Sequence, residues 1–343
     1  MRQALAVIVG LASSFGLSCH DSLLGWASRE SCMLGPVAIA PSSCGAGVGM
    51  YASRDVRPGE LLFAVPKRLH ACLDTALADA DCGAEFTARL EDGNAVSIFC
   101  TYIAKQHLCG DGIFAPYLGT LDLDGPADFV QFWSAAEVEL FRGTPAHGRA
   151  LEARAEADEA VALALGIASL RTSVQRRLAA RGVTDCDAGA LDDRIADAVR
   201  GAHSQVLSRA FDAVHDSGPG ARELIPLLDV LQHAEPASVE YAREELPEEH
   251  GGEDSDASPG RSGPCTVARA LRHIASGEEL AHSYGDFPDY VFAANFVRPL
   301  ATRTTERRSP AHLASSSSST RACTPPALAL ALPPSPSRLT NSS

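Results

Sequence analysis

Two apolar runs in the last third of the chain end in polar side chains that can take part in chemistry. The first, Leu224 to His233 (LIPLLDVLQH), ends in Asp-x-x-Gln-His, and the second, Ile274 to Asp286 (IASGEELAHSYGD), holds a Gly-Glu-Glu turn and a Ser-Tyr-Gly sequence. A carboxylate, an amide, an imidazole and a phenol at the ends of apolar runs indicate a functional site rather than a core. We therefore expect one pocket to be within reach of Asp229, Gln232, His233 and Tyr284.

The composition predicts a globular protein with a basic or neutral partner. The chain has 343 residues, of which 45% are hydrophobic, and this is enough to bury a core in one large domain or two. The formal net charge is -14, whereas binding to a phosphate backbone needs clustered Lys and Arg. We therefore expect no direct contact with nucleic acid.

The cysteine spacing, the apolar stretches and the N-terminal segment give expectations about metal sites, membrane spans and cellular location. The 10 cysteines contain no Cys-x-x-Cys pair, so we expect reduced thiols packed as small hydrophobes and no metal site. Beyond the N-terminus, no stretch is apolar enough to span a bilayer. Residues 1–20 have an Arg, an apolar run and small residues, which indicates either a leader or a first buried helix. The location therefore stays open between cytoplasm or nucleus and plastid.

Short strands are predicted between residues 34 and 75. The runs Val37 to Pro41, Gly49 to Val56 and Glu60 to Pro66 have strand-like composition, and the turn Arg57-Pro58-Gly59 joins the last two. Proline fixes φ in such a turn and glycine is free to take a positive φ. The sequence therefore predicts an antiparallel β unit that contains a hairpin.

The rest of the chain divides into a helical block, a loop and a tail. From about Glu85 to Arg209, apolar residues recur at spacings of three and four, which predicts helices that interrupt the β segments. Residues 242–264 are acidic and rich in Gly, Pro and Ser, which predicts a mobile loop between two strands. Residues 301–343 are of low complexity and predict a disordered tail.

In this order, the motifs resemble those of a SET-domain protein methyltransferase, of the branch typified by the Rubisco large-subunit lysine methyltransferase and its histidine-methylating relatives. The resemblance is carried by GVGMYASRDVRPGELLFAVPKRL, by Gly112 to Pro145, by the Ser-Arg-Ala-Phe at Ser208 to Phe211, and by the two motifs above. It implies an α+β fold over residues 21–300, a SET domain of small antiparallel β-sheets with a pseudoknot at the cofactor site. A helical insert would interrupt this domain at about residues 83–206.

The resemblance also implies a cofactor, S-adenosyl-L-methionine, and the residues of its site. Tyr284 would be the catalytic residue, since its hydroxyl would contact the transferred methyl group and orient the incoming nitrogen. The chain departs from the family pattern at Gln232, where the family has Asn, and at Asn295, where it has Gly. The residues implied to bind the cofactor are Gly47, Gly49, Met50, Arg209, Asp229, Gln232, His233 and Phe296.

Read from the residues alone, the same positions have plainer interpretations. The Gly-x-Gly at Gly47 would be a turn, Arg209 a solvated charge, and His233 a structural histidine. Tyr284 would be a tyrosine at a strand end whose hydroxyl bonds a backbone carbonyl.

The implied function is methylation of a protein substrate, on lysine, by a monomeric enzyme that contacts neither nucleic acid nor membrane. Some relatives with this fold methylate histidine, and no residue in the sequence decides between the two. A third reading is a SET-type binding module without turnover, which the departures at Gln232 and Asn295 would fit.

Overall fold

The computed structural model describes seven stretches of the chain, which are residues 22–43, 47–91, 94–124, 129–183, 187–212, 222–246 and 263–285. The predicted leader or first helix, the positions Asn295 and Phe296, and the predicted tail lie outside the described residues. The statements about them therefore remain predictions.

Short strands form the β part of the described chain. In chain order they are β1 (Met33–Leu34), β2 (Val37–Pro41), β3 (Val48–Ala52), β4 (Leu61–Pro66), β5 (Ala71–Cys72), β6 (Phe211–Asp212), β7 (Arg222–Leu224), β8 (Gln232–His233), β9 (Val239–Leu246), β10 (Gly263–Ala270) and β11 (Ala281–His282). Three sheets are antiparallel, in the orders β1-β4-β10-β9, β2-β3 and β5-β7-β6. The predicted small antiparallel sheets are therefore present, and the two-residue pair β8-β11 is parallel.

The predicted turn at Arg57-Pro58-Gly59 forms, but its flanking strands do not make a hairpin. Gly59 has a φ of 77°, and the amide of Glu60 donates to the carbonyl of Arg57 over 3.1 Å. However, β3 pairs with β2, whereas β4 lies between β1 and β10. The reason is that the end of β3 and the chain after it bond the segment of the Gly-Glu-Glu turn instead, through Ala52 N to Glu278 O (3.0 Å) and the bridge between Val56 and Ile274.

The strands that flank the predicted acidic loop extend into it from both ends. The β9-β10 pairing continues from Ala270 opposite Val239 as far as Gly263 opposite Leu246. The guanidinium of Arg269 bonds the carboxylate of Glu244 across the pair, at 2.8 Å and 3.1 Å. Cross-strand charge pairing of this kind allows an acidic sequence to remain in a sheet.

Helices account for most of the described residues between 83 and 209. An N-terminal helix α1 covers residues 22–29, and the later helices are α2 (Leu73–Leu77), α3 (Gly83–Arg89), α4 (Ala95–Cys109), α5 (Ala115–Leu118), α6 (Ala135–Glu139), α7 (Pro145–Leu165), α8 (Ala168–Ala180) and α9 (Ala188–Arg209). Helix α9 packs against α4, α7 and β7, so it connects the helical block to the sheets. No described helix is both long and apolar enough to cross a membrane.

One apolar core joins the helices to the sheets. Its largest fully buried side chains include Phe63 of β4, Phe86 of α3 and Phe99 of α4. The cysteines of the described chain are free and buried, as predicted, and they are Cys32, Cys72, Cys82, Cys100, Cys109 and Cys265. Burial raises the pKa of the Cys32 thiol to about 12, so this thiol is inert at neutral pH.

A buried carboxylate fastens β7 to its neighbours. Glu223 is 1% exposed and accepts hydrogen bonds from Lys67 (2.9 Å), His70 (3.0 Å) and Arg243 (2.7 Å). Burial opposes ionisation, but the hydrogen bonds from His70, Lys67 and Arg243 outweigh it and lower the pKa of Glu223 to about 2. Because β7 lies directly before the Asp-x-x-Gln-His segment, this cluster fixes where that segment starts.

We predict that Glu223→Gln lowers the free energy of unfolding at pH 7 by roughly 3 kcal/mol, since removing one partner of a buried ion pair leaves the others uncompensated. The pKa of Glu223 is lower in the folded state, so its contribution is complete above the ordinary value of 4.5 and declines as the pH falls towards about 2. Urea unfolding from pH 7 down to pH 3 should therefore show the gap between wild type and variant narrowing.

Glu240→Gln is the control, because Glu240 is an exposed residue of β9. Its free energy of unfolding should stay within about 0.5 kcal/mol of the wild-type value. A gap between wild type and Glu223→Gln that does not change with pH would contradict this role of the carboxylate.

Candidate functional site

The parallel pair β8-β11 brings the two polar motifs of the sequence side by side. Gln232 lies opposite Ala281, and His233 lies opposite His282. The amide of Tyr284 donates to Nδ1 of His233 over 3.0 Å, so His233 is held as an acceptor at this nitrogen. The imidazole of His233 is therefore bonded to the backbone of the residue that carries the phenol.

Tyr284 lies between two imidazole rings. Its ring centroid is 5.2 Å from that of His233 and 4.8 Å from that of His282. Its hydroxyl donates to the backbone carbonyl of Leu231 over 2.9 Å. The phenol is thus held in one orientation, with a carbonyl oxygen beside its hydroxyl.

Arg209 and Asp229 form a second polar unit together with Tyr117. Nη1 of Arg209, at the end of α9, lies 3.0 Å from the carbonyl oxygen and 3.5 Å from Oδ2 of Asp229. The hydroxyl of Tyr117 donates to the same carboxylate over 2.9 Å. Burial raises the pKa of Asp229 against the opposing effects of Arg209 and Tyr117. Asp229 therefore orients Arg209, and its Oδ1 has no hydrogen-bond partner among the described residues.

The two glycines of the Gly-x-Gly segment have different roles. Gly47 has a φ of 72°, which other residues rarely adopt, and a Cβ added there would meet nothing within 4 Å. At Gly49, a Cβ would lie 1.9 Å from Oε1 of Glu279. The Glu279 carboxylate fills this space because it bonds Ser42 Oγ (2.7 Å) and Ser43 N (2.9 Å). Gly47 therefore leaves open space beside the backbone, whereas Gly49 allows the Gly-Glu-Glu turn to pack.

Gln232 connects the glycine segment to the β8-β11 pair. Its Nε2 donates to the carbonyl of Val48 over 2.8 Å. The longer amide side chain at this position thus reaches across to the β3 backbone. Gln232 therefore has a defined partner in the protein, and its contact with a cofactor remains a prediction.

A cavity of about 570 Å³ opens beside Tyr284. Of the residues predicted for the site, Arg209, Asp229 and Tyr284 line it, together with Phe211, Tyr241 and His282. Gly47, Gly49, Gln232 and His233 do not line it. Gln232 instead bonds the glycine segment at Val48, and His233 bonds the backbone amide of Tyr284. The predicted residues are therefore divided between two adjoining regions that meet at Tyr284.

Met50 does not face either region. Its side chain is 0% exposed within the core, and its carbonyl accepts the amide of Leu280 over 2.7 Å. Met50 therefore contributes packing of β3, and its contact with the cofactor remains a prediction.

Three aromatic side chains beside Tyr284 were not singled out from the sequence. Phe211, Tyr241 and His282 are in mutual contact, with ring centroids 5.4 to 5.7 Å apart. His282 is 4% exposed, and burial lowers its pKa to about 4, so it is neutral at physiological pH.

The sequence did contain signals for two of the three. Phe211 ends the Ser-Arg-Ala-Phe motif, and His282 precedes Tyr284 by two positions, which is the spacing of side chains on one face of a strand. No such signal marks Tyr241, because it lies on β9 and belongs to neither motif. Within the described stretches, no group of three or more His, Cys, Asp or Glu side chains is arranged to hold a metal ion.

Comparison with known proteins gives a fold but no sequence relative. No protein-family model matches the chain, and no curated protein sequence matches it. Among solved structures, the SET domain of LSMT bound to lysine and AdoHcy aligns with a TM-score of 0.61 at 16% identity, over 81% of this chain and 56% of that chain. Rubisco LSMT bound to AdoMet aligns with a TM-score of 0.53 at 16% identity, over 81% of this chain and 55% of that one.

The chain thus spans little more than half the length of the structures it matches. The α+β class predicted from the sequence is confirmed, and so is the interruption of small sheets by helices. The described chain has the fold of a SET domain of the LSMT type.

Proposed function

We propose that the protein is an S-adenosyl-L-methionine-dependent protein N-methyltransferase that acts on lysine. The observation that carries the proposal is the position of Tyr284, where the cavity meets the region of the glycine segment, with its hydroxyl beside the Leu231 carbonyl. The fold supports the same reading, because the LSMT structures with this fold contain AdoMet, AdoHcy or lysine. Protein histidine is the alternative substrate on the same fold.

The residues beside Tyr284 fit the proposed cofactor. S-adenosylmethionine has a carboxylate at its amino-acid end, and the Arg209 side chain, 27% exposed, offers a cation held in place by Asp229. Gly47 leaves open space along the backbone, where a ligand can approach closely. When bound, the cofactor supplies an activated methyl group. Gly47, Gly49, Arg209, Gln232, His233 and, outside the described residues, Phe296 are proposed to hold it.

The protein's own residues would act by orientation and by excluding water. Methyl transfer is an in-line displacement, so the target nitrogen must be aligned and neutral. The rings of Phe211, Tyr241 and His282 make the cavity wall by Tyr284 largely apolar, and such surroundings lower the pKa of a lysine amine. The Tyr284 hydroxyl and the Leu231 carbonyl are the polar groups proposed to face the reacting centre.

We expect the purified protein to bind S-adenosylmethionine and to be stabilised by about 2.7 kcal/mol at a ligand concentration a hundredfold above the dissociation constant. Gln232→Ala should weaken binding about five- to tenfold, because the 2.8 Å bond that holds the Val48 carbonyl is lost. Isothermal titration calorimetry and thermal melting measure both effects.

Gln106→Ala is the matched control. Gln106 lies on α4, its side-chain amide bonds Asp79, and it is not part of the cavity lining. It should leave the dissociation constant unchanged. Absence of binding heat, with an unchanged melting curve at millimolar ligand, would exclude the proposed function.

Tyr284→Phe tests the proposed catalytic residue. The phenol is expected to act during transfer and to add little to binding of the cofactor, so turnover should fall about a hundredfold to a thousandfold with nearly constant affinity. The measurement is methyl transfer from labelled cofactor to a proteome extract, with identification of the modified residue type as lysine or histidine.

Tyr102→Phe, which removes a phenol from α4 away from the cavity lining, is the control for loss of a hydroxyl alone. Equal transfer by wild type and Tyr284→Phe would remove Tyr284 from the mechanism. Tight cofactor binding without any transfer by wild type would favour a non-catalytic binding module.

A further inference from the structure

The guanidinium of Arg209 is held by the protein at Nε and Nη1. Nε donates to Oε1 of Gln205 over 2.9 Å, and Nη1 donates to the carbonyl oxygen of Asp229 over 3.0 Å. Nη2 makes no hydrogen bond or ion pair with any described residue. The side chain is 27% exposed and lines the cavity. One edge of the guanidinium is therefore fixed, and the third nitrogen is left as a donor for a ligand.

Two buried polar side chains support these contacts. Tyr117 is 0% exposed, and its hydroxyl donates to Oδ2 of Asp229 over 2.9 Å. Gln205 is 1% exposed, and its Nε2 donates to the carbonyl oxygen of Asp122 over 3.2 Å. These bonds fix the orientation of the Asp229 carboxylate and of the Gln205 amide. Because both groups contact Arg209, they fix the orientation of its guanidinium in turn.

Both supports begin in one short segment that packs directly on α9. Tyr117 lies in α5, and Asp122 follows shortly after this helix. A Cβ added at Gly201 of α9 would lie 2.8 Å from the carbonyl oxygen of Leu123. The missing side chain at Gly201 thus allows the two backbones to approach closely. The segment that holds both contacts is therefore itself fixed against α9.

We propose that Tyr117 and Gln205 are positioning residues that hold Arg209 for the carboxylate at the amino-acid end of S-adenosylmethionine. This inference rests on the proposed function and adds two residues on which that contact depends. Neither residue lines the cavity, so each acts through Arg209 and not by touching the ligand. A planar guanidinium binds a carboxylate directionally, and a small rotation of Arg209 would weaken the contact.

The test compares two ligands that differ at the amino-acid end. Methylthioadenosine has the nucleoside and the sulfur of S-adenosylhomocysteine but neither its carboxylate nor its amine. We expect Tyr117→Phe and Gln205→Met each to weaken binding of S-adenosylhomocysteine about tenfold and to leave binding of methylthioadenosine unchanged. Isothermal titration calorimetry measures both dissociation constants. A loss of packing at the site would instead weaken both ligands.

A double-mutant cycle with Arg209→Ala gives a readout that does not depend on the second ligand. Since Tyr117 and Gln205 act through Arg209, neither substitution should weaken binding of S-adenosylhomocysteine further once Arg209 is replaced. Thermal melting identifies any variant that does not fold. If Tyr117→Phe fails to fold, Gln205→Met decides the question, because methionine keeps the length of the side chain without its polar atoms.

Tyr102→Phe is the matched control, because Tyr102 is a buried phenol of α4 that is not part of the cavity lining. It should bind both ligands as the wild type does. Unchanged binding of S-adenosylhomocysteine by the two variants, equal weakening of both ligands, or full additivity with Arg209→Ala would overturn the inference and leave the proposed function in place. A wild-type protein that does not bind S-adenosylhomocysteine would overturn both.

Discussion

The parallel contact between β8 and β11 is the interaction on which the candidate site depends. Each strand has two residues, yet the pair places His233 against the Tyr284 amide and next to the Tyr284 ring. Such a short pair cannot be stable alone. It is supported on one side by Glu223 and its three donors before β8, and on the other by the Gly-Glu-Glu turn, whose Glu279 packs on Gly49. Two distant segments are thus held in register by polar contacts outside the site.

The same pairing explains why the predicted residues divide into two regions. Gln232 and His233 belong to β8, with Gln232 bonded to the glycine segment, whereas Arg209 and Asp229 line the cavity. Tyr284 bonds His233 through its backbone amide, and its ring contacts His282, which lines the cavity together with Arg209 and Asp229. The proposed function places the two bound molecules on either side of this phenol, because the reacting atoms of a transfer must meet at one place.

Local patterns in the sequence predicted the strands Val37–Pro41 and Leu61–Pro66 closely, because alternation and turn residues are local signals. They also predicted the block of helices. The partners of the site could not be predicted in this way. Gln232 bonds a backbone carbonyl 184 residues away, and Tyr241 reaches the cavity only through the β9-β10 pairing. The hairpin at Pro58 was wrong for the same reason, since a distant turn competed for the β3 backbone. The family resemblance supplied the order of motifs, and the geometry supplied their contacts.

The most direct test of the central claim is a crystal structure of the protein grown with S-adenosylhomocysteine. We predict electron density for the ligand beside Gly47, Gln232 and His233, with its sulfur directed towards the Tyr284 hydroxyl and its carboxylate at Arg209, which also lines the cavity. The part of the cavity against the rings of Phe211, Tyr241 and His282 should remain open for the substrate side chain. Density for the ligand that fills the space against those rings, or density at a place remote from Tyr284, would contradict the proposed function.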